Sequence, residues 1–161
     1  MEKIKIKNYF GIVPKKAHPT DAAFDLFTPE DIELKHGRQV IDLGFAIELP
    51  HGYAATIQPR SGFSCKGMEV KFYRTQDLFS GQDLRIDADV IRGLVDENYR
   101  GHVGVIVKVH SKIYENTKLV IPKGTRIAQM QIVEVPEMEF EEVAELSNSD
   151  RAEGGFGSTG K

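Results

Sequence analysis

The sequence has almost no cysteine and no tryptophan. Cys65 is the only cysteine among 161 residues, so no disulfide can form within the chain, and zinc or redox sites built from paired cysteines are excluded. A single thiol suits a reducing compartment, and we expect a cytoplasmic protein. The histidines lack the spacing of metal ligands, so we expect surface or turn positions for them and no transition metal held by protein side chains. They are His18, His36, His51, His102 and His110.

The chain also lacks an excess of positive charge and a long apolar run. Its 21 lysines and arginines face 24 acids, and the resulting net charge of −3 disfavours a nucleic-acid partner. Residues 1–7 alternate charge with isoleucine, unlike a signal peptide, and no run approaches the ~18 apolar residues of a membrane span. With 40% hydrophobic residues, the chain is expected to form one globular domain with no membrane association.

What the sequence does contain is a series of short apolar segments with the period of β-strands. Alternation over residues 4–7, 44–49 and 53–58 predicts half-buried strands. The β-branched residues of 103–109 and 127–135 predict strands that are more deeply buried. Proline and glycine separate these segments, and helical periodicity is scarce. This pattern favours an antiparallel barrel or sandwich over alternating strands and helices.

Two segments differ from this pattern. Residues 69–89 mix aromatic and charged side chains without a clear period, and we interpret them as an excursion from the barrel. Residues 147–161 are small, polar and rich in glycine, which is the composition of a flexible arm. A disordered linker is the usual alternative for such a tail, although its glycines, hydroxyls and cations would suit a phosphate chain. Phe156 favours a ligand, because an aromatic ring there needs a surface such as a nucleobase to cover.

Three short motifs could carry chemistry, and each also has a simpler explanation. Arg60 and Ser61, in a Pro-Arg-Ser-Gly segment, could meet an anion, although the segment is also an ordinary turn. Asp96 follows apolar residues, where partial burial would raise its pKa towards that of a general base, or it simply caps a turn. Asp25, at the end of a probable strand, suits magnesium held through water, and a buried hydrogen-bonded acid is the alternative.

Taken together, five segments resemble, in order, the five motifs of the homotrimeric dUTP nucleotidohydrolases, the dUTPases. The segments are AAFDL, PRSG, GLVDENYRG, GTRIAQ and RAEGGFGSTG. Each is weak alone, but their ordered combination is specific. The resemblance implies an all-β fold, a jelly-roll dUTPase-like β-barrel over residues 1–146 with an insertion at 69–89. It also implies a flexible C-terminal arm over residues 147–161 that closes the active site.

The resemblance further implies an activity and an assembly. Members of this family hydrolyse dUTP to dUMP and pyrophosphate by magnesium-assisted attack of water on the α-phosphorus. This reaction limits uracil incorporation into DNA and supplies dUMP for dTMP synthesis. The implied cofactor is Mg²⁺, the implied ligand is dUTP, and the implied assembly is a homotrimer with shared active sites.

Residue roles follow from the resemblance position by position. Asp96 matches the acid that activates the attacking water, Tyr99 the aromatic residue under the deoxyribose, and Gly104 a position whose backbone contacts uracil. Asp25 matches the acid that holds magnesium through water. The remaining matches organise the site, contact phosphates, or belong to the arm that clasps the γ-phosphate and stacks on uracil. They are Arg60, Ser61, Gly62, Arg126, Gln129, Arg151, Phe156, Gly157, Ser158 and Thr159.

The chain departs from the family pattern mainly in one length. The 35 positions from Ser61 to Asp96 exceed the usual separation in the family. A solvated loop explains this, and the alternative is a lid or a surface for a protein partner beside the active site. Smaller departures are Ala23, Asn98 and Thr125, where the family often has a glycine, a second acid and an aspartate, respectively.

Three other functions stay open at this point. A dCTP deaminase shares the fold, and it would release ammonia from dCTP. A regulatory module could bind dUTP and dock a protein through the insertion without hydrolysis as its main role. A structural or carbohydrate-binding jelly roll is the third alternative, but it does not explain the glycine-rich arm.

Overall fold

A computed structural model of the chain describes the backbone of residues 2–74 and 77–149, and the side chains of these residues except 77–80. The described residues form twelve β-strands and one short helix. The strands are β1 (Lys5–Asn8), β2 (Phe24–Phe27), β3 (Ile32–Glu33), β4 (Gly37–Glu48), β5 (Tyr53–Gln58), β6 (Met68–Arg74), β7 (Asp77–Ile86), β8 (Ala88–Ile91), β9 (Gly93–Val95), β10 (His102–Val109), β11 (Thr117–Ile121) and β12 (Arg126–Glu134). The helix α1 spans Ser61–Lys66.

The strands form three four-stranded antiparallel sheets. Sheet I has the order β1-β4-β10-β8, sheet II the order β2-β12-β5-β9, and sheet III the order β3-β11-β6-β7. One hydrophobic core lies between them and includes the fully buried Phe45, Leu26 and Ile121. The expected all-β fold is confirmed. No helix among the described residues is long and apolar enough to cross a membrane.

The predicted strands are present, with differences in burial. β10 buries every second residue, as a strand with one face on the core should. β1 is exposed along its whole length, because it pairs only with β4 at the edge of sheet I, so its predicted half-burial is wrong. β5 is more buried than predicted, since it lies between β12 and β9 and its small outward side chains are shielded by them.

The prediction that residues 69–89 leave the barrel is wrong for the parts of the segment that begin and end it. β6 and β7 form a hairpin, and β6 also pairs with β11, which makes the hairpin part of sheet III. Val70 and Ile86 are buried in the core from its two strands. A segment without clear periodicity therefore still contributes to the barrel. Its being an insertion relative to related proteins stays a prediction.

The chain beyond β12 has no regular secondary structure as far as the structure describes it. Residues 136–149 are exposed, and Phe140 is fully exposed to solvent. In the predicted arm, residues 150–161 lie outside the described residues. The division into a barrel and an arm at residue 147 therefore stays a prediction.

Candidate active site

The register of sheet II brings three polar residues into one row. Gln129 of β12 lies directly opposite Asp25 of β2 on one side and Gln58 of β5 on the other. Residues directly opposite each other in antiparallel strands share a face, with Cβ atoms about 4.5–5.5 Å apart. The adjacent Leu26 and Ile57 point into the core and are almost fully buried. The polar row therefore faces outward.

Asp25 lies between two arginines. Its Oδ1 is 2.9 Å from Nε of Arg60, and its Oδ2 is 3.4 Å from Nη1 of Arg126. The Asp25 side chain is only 15% exposed, so these pairs are partly shielded from water and keep more of their attraction than surface pairs do. Asp25 is the second residue of β2, not the last as expected from the sequence. The carboxylate orients both guanidinium groups.

These residues line a pocket of about 310 Å³, which we call the arginine pocket; its defining residues are Asp25, Arg60, Ser61, Arg126 and Gln129. The side-chain amide of Gln129 donates a hydrogen bond to the carbonyl of Pro59 at 3.1 Å, which fixes the chain just before Arg60.

The Pro-Arg-Ser-Gly segment leads directly into α1, so the ordinary turn considered for it is wrong. Ser61, Gly62 and the rest of the helix's first turn follow Arg60, whose carbonyl accepts a hydrogen bond from the Ser64 N–H at 3.0 Å. Ser61 and Gly62 are both exposed. They are thus accessible to a ligand of the pocket.

The charges of the arginine pocket balance one another. Besides Asp25 and the two arginines, Asp21 lines the pocket, which gives two carboxylates and two guanidinium groups. A triphosphate bound here would bring several negative charges into a site whose own charges already cancel. It would therefore need positive charge from a metal ion or from a part of a chain outside this pocket.

The second group of predicted residues lies in the tight turn of residues 96–104, which we call the 96–104 hairpin. It leads from β9 of sheet II into β10 of sheet I, and these two strands are not paired with each other in the described part of the chain. The N–H of Tyr99 donates a hydrogen bond to the carbonyl of Asp96 at 3.1 Å and closes a turn. Nη1 of Arg100 donates to the carbonyls of Glu97 and Tyr99, at 2.6 and 3.0 Å, and braces the same turn.

The Asp96 carboxylate is exposed, and no hydrogen bond or ion pair joins it to another residue that the structure describes. Its expected partial burial is therefore wrong for a single chain. The reason is that β9 ends at Val95 and the chain turns outward there. An exposed carboxylate without a protein partner is available to orient a water molecule.

Tyr99 and two glycines shape the rest of this hairpin. The Tyr99 hydroxyl donates to the carbonyl of His102 at 3.0 Å, and its side chain is 46% exposed. A Cβ on Gly101 would lie 2.4 Å from that hydroxyl oxygen, so only glycine allows the ring its position. A Cβ on Gly104 would lie 2.8 Å from Cγ1 of Val40 on the neighbouring strand. A side chain at either position would force the Tyr99 ring or the Val40 side chain to shift.

Glu97 ties the hairpin to the turn before β5. Its Oε2 accepts a hydrogen bond from the N–H of Gly52 at 2.8 Å, and both carboxylate oxygens lie 3.1 Å from Nδ1 of His51. The Gly52 N–H, together with the His51 ring, holds the pKa of Glu97 below its ordinary value. The same carboxylate raises the pKa of His51. The backbone around Asp96 is thus anchored by a residue next to it.

Within one chain the two groups of residues are far apart. Val95 lies opposite Ala55, so Asp96 emerges near the beginning of β5, whereas Arg60 follows the end of the same strand. The chain from Ala55 to Arg60 spans about 17 Å at ~3.3 Å per residue. The structure therefore brings together the residues of each group, but it does not bring the two groups to one point.

Other residues of the site were missed in the sequence or lie outside the description. Gln58 lines the arginine pocket, and its position at the end of a predicted strand, directly before the Pro-Arg-Ser-Gly segment, could have identified it. His102, expected on the surface or in a turn, lies on β10 and pairs with Asp42, and no spacing in the sequence signals that pair. Five predicted arm residues lie outside the described residues. They are Arg151, Phe156, Gly157, Ser158 and Thr159.

Whether the arginine pocket suits a magnesium ion depends on the oxygen ligands that its side chains offer. Magnesium is usually bound by one or two carboxylates together with substrate phosphates, and it keeps several waters. No group of three or more histidine, cysteine or acidic side chains in the described part of the chain could hold a metal ion alone. Asp25, a single shielded carboxylate at a pocket, fits an ion that is held mainly by a triphosphate and contacted through water.

Comparison with known sequences gives one consistent result. The dUTPase family profile matches residues 10–82 and 80–160. The chain is 39% identical over 151 residues to deoxyuridine 5'-triphosphate nucleotidohydrolase from Gloeothece citriformis, which covers 93% of this chain and 90% of that protein. It is 37% identical over 160 residues to the protein of the same name from Clostridium tetani, which covers 99% and 96%.

Solved structures show the same likeness. The fold is similar to that of Staphylococcus bacteriophage 80alpha dUTPase with dUPNHPP, with a TM-score of 0.77, 27% identity and 100% of both chains covered. It is also similar to dUTPase from phage phi11 of S. aureus, with a TM-score of 0.70, 21% identity and coverage of 89% of this chain and 98% of that one. The phi11 structure reveals how a structural Mg(II) ion is coordinated in that protein. The expected jelly-roll β fold is confirmed.

Proposed function

Because the chain belongs to the dUTPase family, we propose that the arginine pocket and the 96–104 hairpin are two halves of one active site, which meet between subunits of a homotrimer. The chain is a dUTP diphosphatase, which hydrolyses dUTP to dUMP and pyrophosphate. The separation along β5 carries the proposal. In-line attack needs the base, the water and the phosphorus in contact, with reacting atoms about 3–3.5 Å apart. The Asp96 and Arg60 of one chain cannot both reach the same α-phosphate, whereas those of two chains in a ring can.

Exposed apolar side chains support this assembly. On the outer face of sheet I, Ile106 lies directly opposite Val40 on one side and Ile91 on the other, and Val40 is 70% exposed. Beyond β12, Met138 and Phe140 are also strongly exposed. Contiguous apolar surface of this kind marks contacts with another chain. A second and third copy of the chain would cover it.

The hairpin half would hold the nucleoside and the attacking water. Asp96 orients the water and takes its proton, a role supported by its exposed carboxylate without a described partner. Tyr99 packs under the deoxyribose, where a 2′-hydroxyl would have no room. The backbone at Gly104 contacts uracil, and the absence of a side chain there keeps the approach open.

The pocket half would hold the triphosphate. Arg60, Arg126 and Gln129, with Ser61 and Gly62 beside them, contact or orient the phosphates. Asp25 orients the two arginines and contacts magnesium through water. Magnesium, when bound, neutralises phosphate charge and polarises the phosphate oxygens.

The arm, residues 147–161, would complete the site. Arg151, Ser158 and Thr159 clasp the γ-phosphate, while Phe156 and Gly157 cover the uracil. The balanced charges of the arginine pocket support this role, because a bound triphosphate needs cations from outside the pocket. Closure of the arm excludes bulk water during hydrolysis. The barrel of residues 1–146 would be the rigid part against which the arm closes.

Mixing two inactive variants tests whether the halves come from different chains. Asp96→Asn disables the hairpin half, and Arg60→Ala disables the pocket half. Coexpressed in equal amounts, they should recover about a quarter of wild-type pyrophosphate release, because a quarter of the interfaces in a random ring combine two intact halves. As a matched control, Asp96→Asn with Tyr99→Ala damages the same half twice and should recover nothing above the parents' average.

The outcomes separate the parts of the proposal. Hybrids that are no more active than their parents would contradict the proposal of shared sites, but they would not contradict the assignment of dUTP hydrolysis. A folded wild-type protein that releases no pyrophosphate from dUTP with magnesium would contradict the reaction itself. Release of ammonia from dCTP would indicate the deaminase. Equal rates with dUTP and UTP would contradict the role of Tyr99.

A protein partner at the β6–β7 hairpin is a second function that one observation favours. β7 is an edge strand of sheet III that no other described strand covers, and its Leu84 is exposed, so the hairpin presents a strand edge and apolar surface. Phage dUTPases, of which the phage 80alpha protein is an example, control transfer of virulence genes by a proto-oncogenic G protein-like mechanism. We propose that this hairpin binds a protein, with catalysis proceeding independently.

The structure limits how this second function can be tested. Deleting all of residues 69–89 would remove the buried Val70 and Ile86 and damage the core. Replacing only residues 74–81 by a short glycine-containing turn, together with Leu84→Ser, spares them and removes the exposed apolar residue of β7. The shortened protein should keep dUTP hydrolysis and lose a partner that the full chain retains in pull-down. Equal retention by both proteins would contradict the proposal.

A cytoplasmic location completes the proposal. Cys65 is exposed and unpaired. An exposed free thiol is stable in a reducing compartment and prone to oxidation outside one.

A further inference from the structure

β4 contains an irregularity beside the 96–104 hairpin. Ala46 lies opposite His102, but Asp42 lies opposite Gly104, so β4 has two more residues than β10 over this interval. Gly44 occupies the extra stretch with a φ of +71°, a backbone conformation that favours glycine. Its carbonyl accepts three backbone N–H groups, from residues 9–11, at 3.0–3.1 Å. The bulge is therefore held firmly by the segment after β1.

One carboxylate connects this bulge to β10. Oδ1 of Asp42 accepts a hydrogen bond from the N–H of Gly44 at 2.8 Å, and Oδ2 lies 2.8 Å from Nδ1 of His102. Partial burial alone would raise the pKa of Asp42, but the Gly44 N–H and the His102 ring together outweigh it and lower the pKa. Asp42 is thus an anion that bridges two strands.

Aromatic rings pack on the His102 side chain. The Tyr9 ring centroid lies 4.4 Å from that of His102, and the Phe10 ring meets it edge-on at 6.2 Å. Nζ of Lys7 lies 4.9 Å from the Tyr9 ring centroid. The imidazole is therefore fixed by a carboxylate and by two rings from a different part of the chain.

The backbone of His102 is joined to the nucleoside half of the site. Its carbonyl accepts the hydrogen bond of the Tyr99 hydroxyl at 3.0 Å, and Gly104 follows two positions later in β10. Any movement of His102 would move the acceptor of Tyr99 and the backbone at Gly104 together. Asp96 has different supports, since Glu97 beside it is bonded to Gly52.

We propose that the Asp42–His102 pair positions the 96–104 hairpin and thereby sets the affinity and selectivity for the deoxyuridine part of the substrate. The proposal rests on the proposed function, which assigns Tyr99 and Gly104 to the nucleoside. His102 and Asp42 are positioning residues, because they act through these two residues and touch no reacting atom. Their loss should weaken nucleoside binding far more than it slows the chemical step.

Steady-state kinetics with dUTP and UTP test this role. His102→Ala and Asp42→Ala should each raise the KM for dUTP by about tenfold and change kcat by less than about twofold, the pattern of lost binding. The preference for dUTP over UTP should fall by a similar factor. The double variant should be no worse than either single variant, because both remove the same link.

Two further variants separate positioning from general damage. His102→Asn places an amide near the position of Nδ1 and should recover most of the affinity. His110 makes a similar pair with Asp89, at 2.8 Å, at the other end of β10. His110→Ala should therefore leave KM and selectivity unchanged. Thermal unfolding of each variant identifies any that fails to fold, and for such a variant the His102→Asn result decides.

The results that would overturn the proposal are distinct from those that would overturn the proposed function. Unchanged KM and selectivity in His102→Ala and Asp42→Ala would contradict it, as would a fall in kcat without a change in KM. An equal effect of His110→Ala would also contradict it, because the effect would then be general. Full dUTP hydrolysis by Asp96→Asn would instead overturn the assignment of the hairpin to the active site.

Discussion

The arginine pocket and the 96–104 hairpin are held together in different ways. In the pocket, Arg126 and Asp25 are 101 positions apart, and they meet only because β12 pairs with β2. In the hairpin, Tyr99 bonds to residues three positions away on either side, Asp96 and His102. The pocket is thus a product of the whole barrel, whereas the turn of the hairpin is closed by its own residues and is tied to distant strands through Glu97 and His102.

The difference bears on how each region should respond to substitution. A residue of the pocket supports the fold and the site together, because its partners come from distant strands. The exposed end of the hairpin can change its chemistry while the barrel stays intact. Function and stability should therefore separate in the hairpin and stay coupled in the pocket.

Asp96→Asn should show this separation most strongly. The substitution removes the proposed general base and should lower kcat by about 10²–10⁴-fold, the usual contribution of general base catalysis. The melting temperature should not change, because Asp96 is exposed and has no partner among the described residues. Pyrophosphate release and thermal unfolding measure the two effects. Asn98→Ala, in the same turn, is the control and should change neither; a large loss of stability in Asp96→Asn would contradict the comparison.

Asp25→Asn should lower both the stability and the activity of the protein. It leaves Arg60 and Arg126 without their carboxylate, and we expect a loss of about 1–2 kcal/mol in the free energy of unfolding, discounted for partial exposure. Activity should fall as well, since both guanidinium groups lose their orientation. Urea unfolding and pyrophosphate release measure the two losses. Asp21→Asn, in the same pocket, should have a smaller effect on stability; unchanged stability in Asp25→Asn would remove the distinction between the regions.

Gly101→Ala should sharpen the comparison within the hairpin. The new Cβ would lie 2.4 Å from the Tyr99 hydroxyl oxygen, so the ring must swing away from the position in which we propose that it packs under the deoxyribose. We expect the KM for dUTP to rise by about three- to tenfold with little change in melting temperature. Gly93→Ala is the matched control, because its Cβ would meet Ile57 at an ordinary 3.8 Å. An unchanged KM would show that Tyr99 does not need its present position.

The smallest expected effect concerns pH and the anchor of the hairpin. Glu97 has a lowered pKa, so its contribution to stability is present above its ordinary value of 4.5 and is lost as pH falls through the folded-state pKa. His51 has a raised pKa, so its contribution is present below 6.5 and is lost as pH rises through the folded-state pKa.

The melting-temperature difference between wild type and Glu97→Gln should therefore be largest between pH 4.5 and 6.5 and shrink on both sides. Scanning calorimetry across this range measures it. A difference that stays constant with pH would mean that the ion pair contributes nothing in solution.

The sequence was informative where local chemistry decides the structure. Alternation predicted β5 and β-branched residues predicted β10, while the ordered motifs singled out Asp25 and Arg60, which the structure places in one pocket. Period and residue type are visible in a short window. α1 was missed since six residues are too few to show helical periodicity. The base of the β6–β7 hairpin was missed because its mixed polarity concealed the burial of Val70.

Strand register was beyond prediction from the sequence. The sequence does not reveal that Gln58 lies beside Gln129, because this contact depends on the register between two strands that are far apart in sequence. The link between Asp42 and His102 depends similarly on a bulge of two residues in β4. The outward turn that exposes Asp96 also follows from where β9 ends, which apolar flanking residues do not reveal.

The distance between the two ends of β5 has a consequence for the life of the protein. With Asp96 at one end and Arg60 beyond the other, a chain leaving the ribosome carries every part of the proposed site and can use none of them. With the site shared between chains as proposed, hydrolysis would begin only when chains associate, so at low abundance the rate should rise more steeply than in proportion to the number of chains. Synthesis and activity would then be separated by a delay that shortens as expression increases.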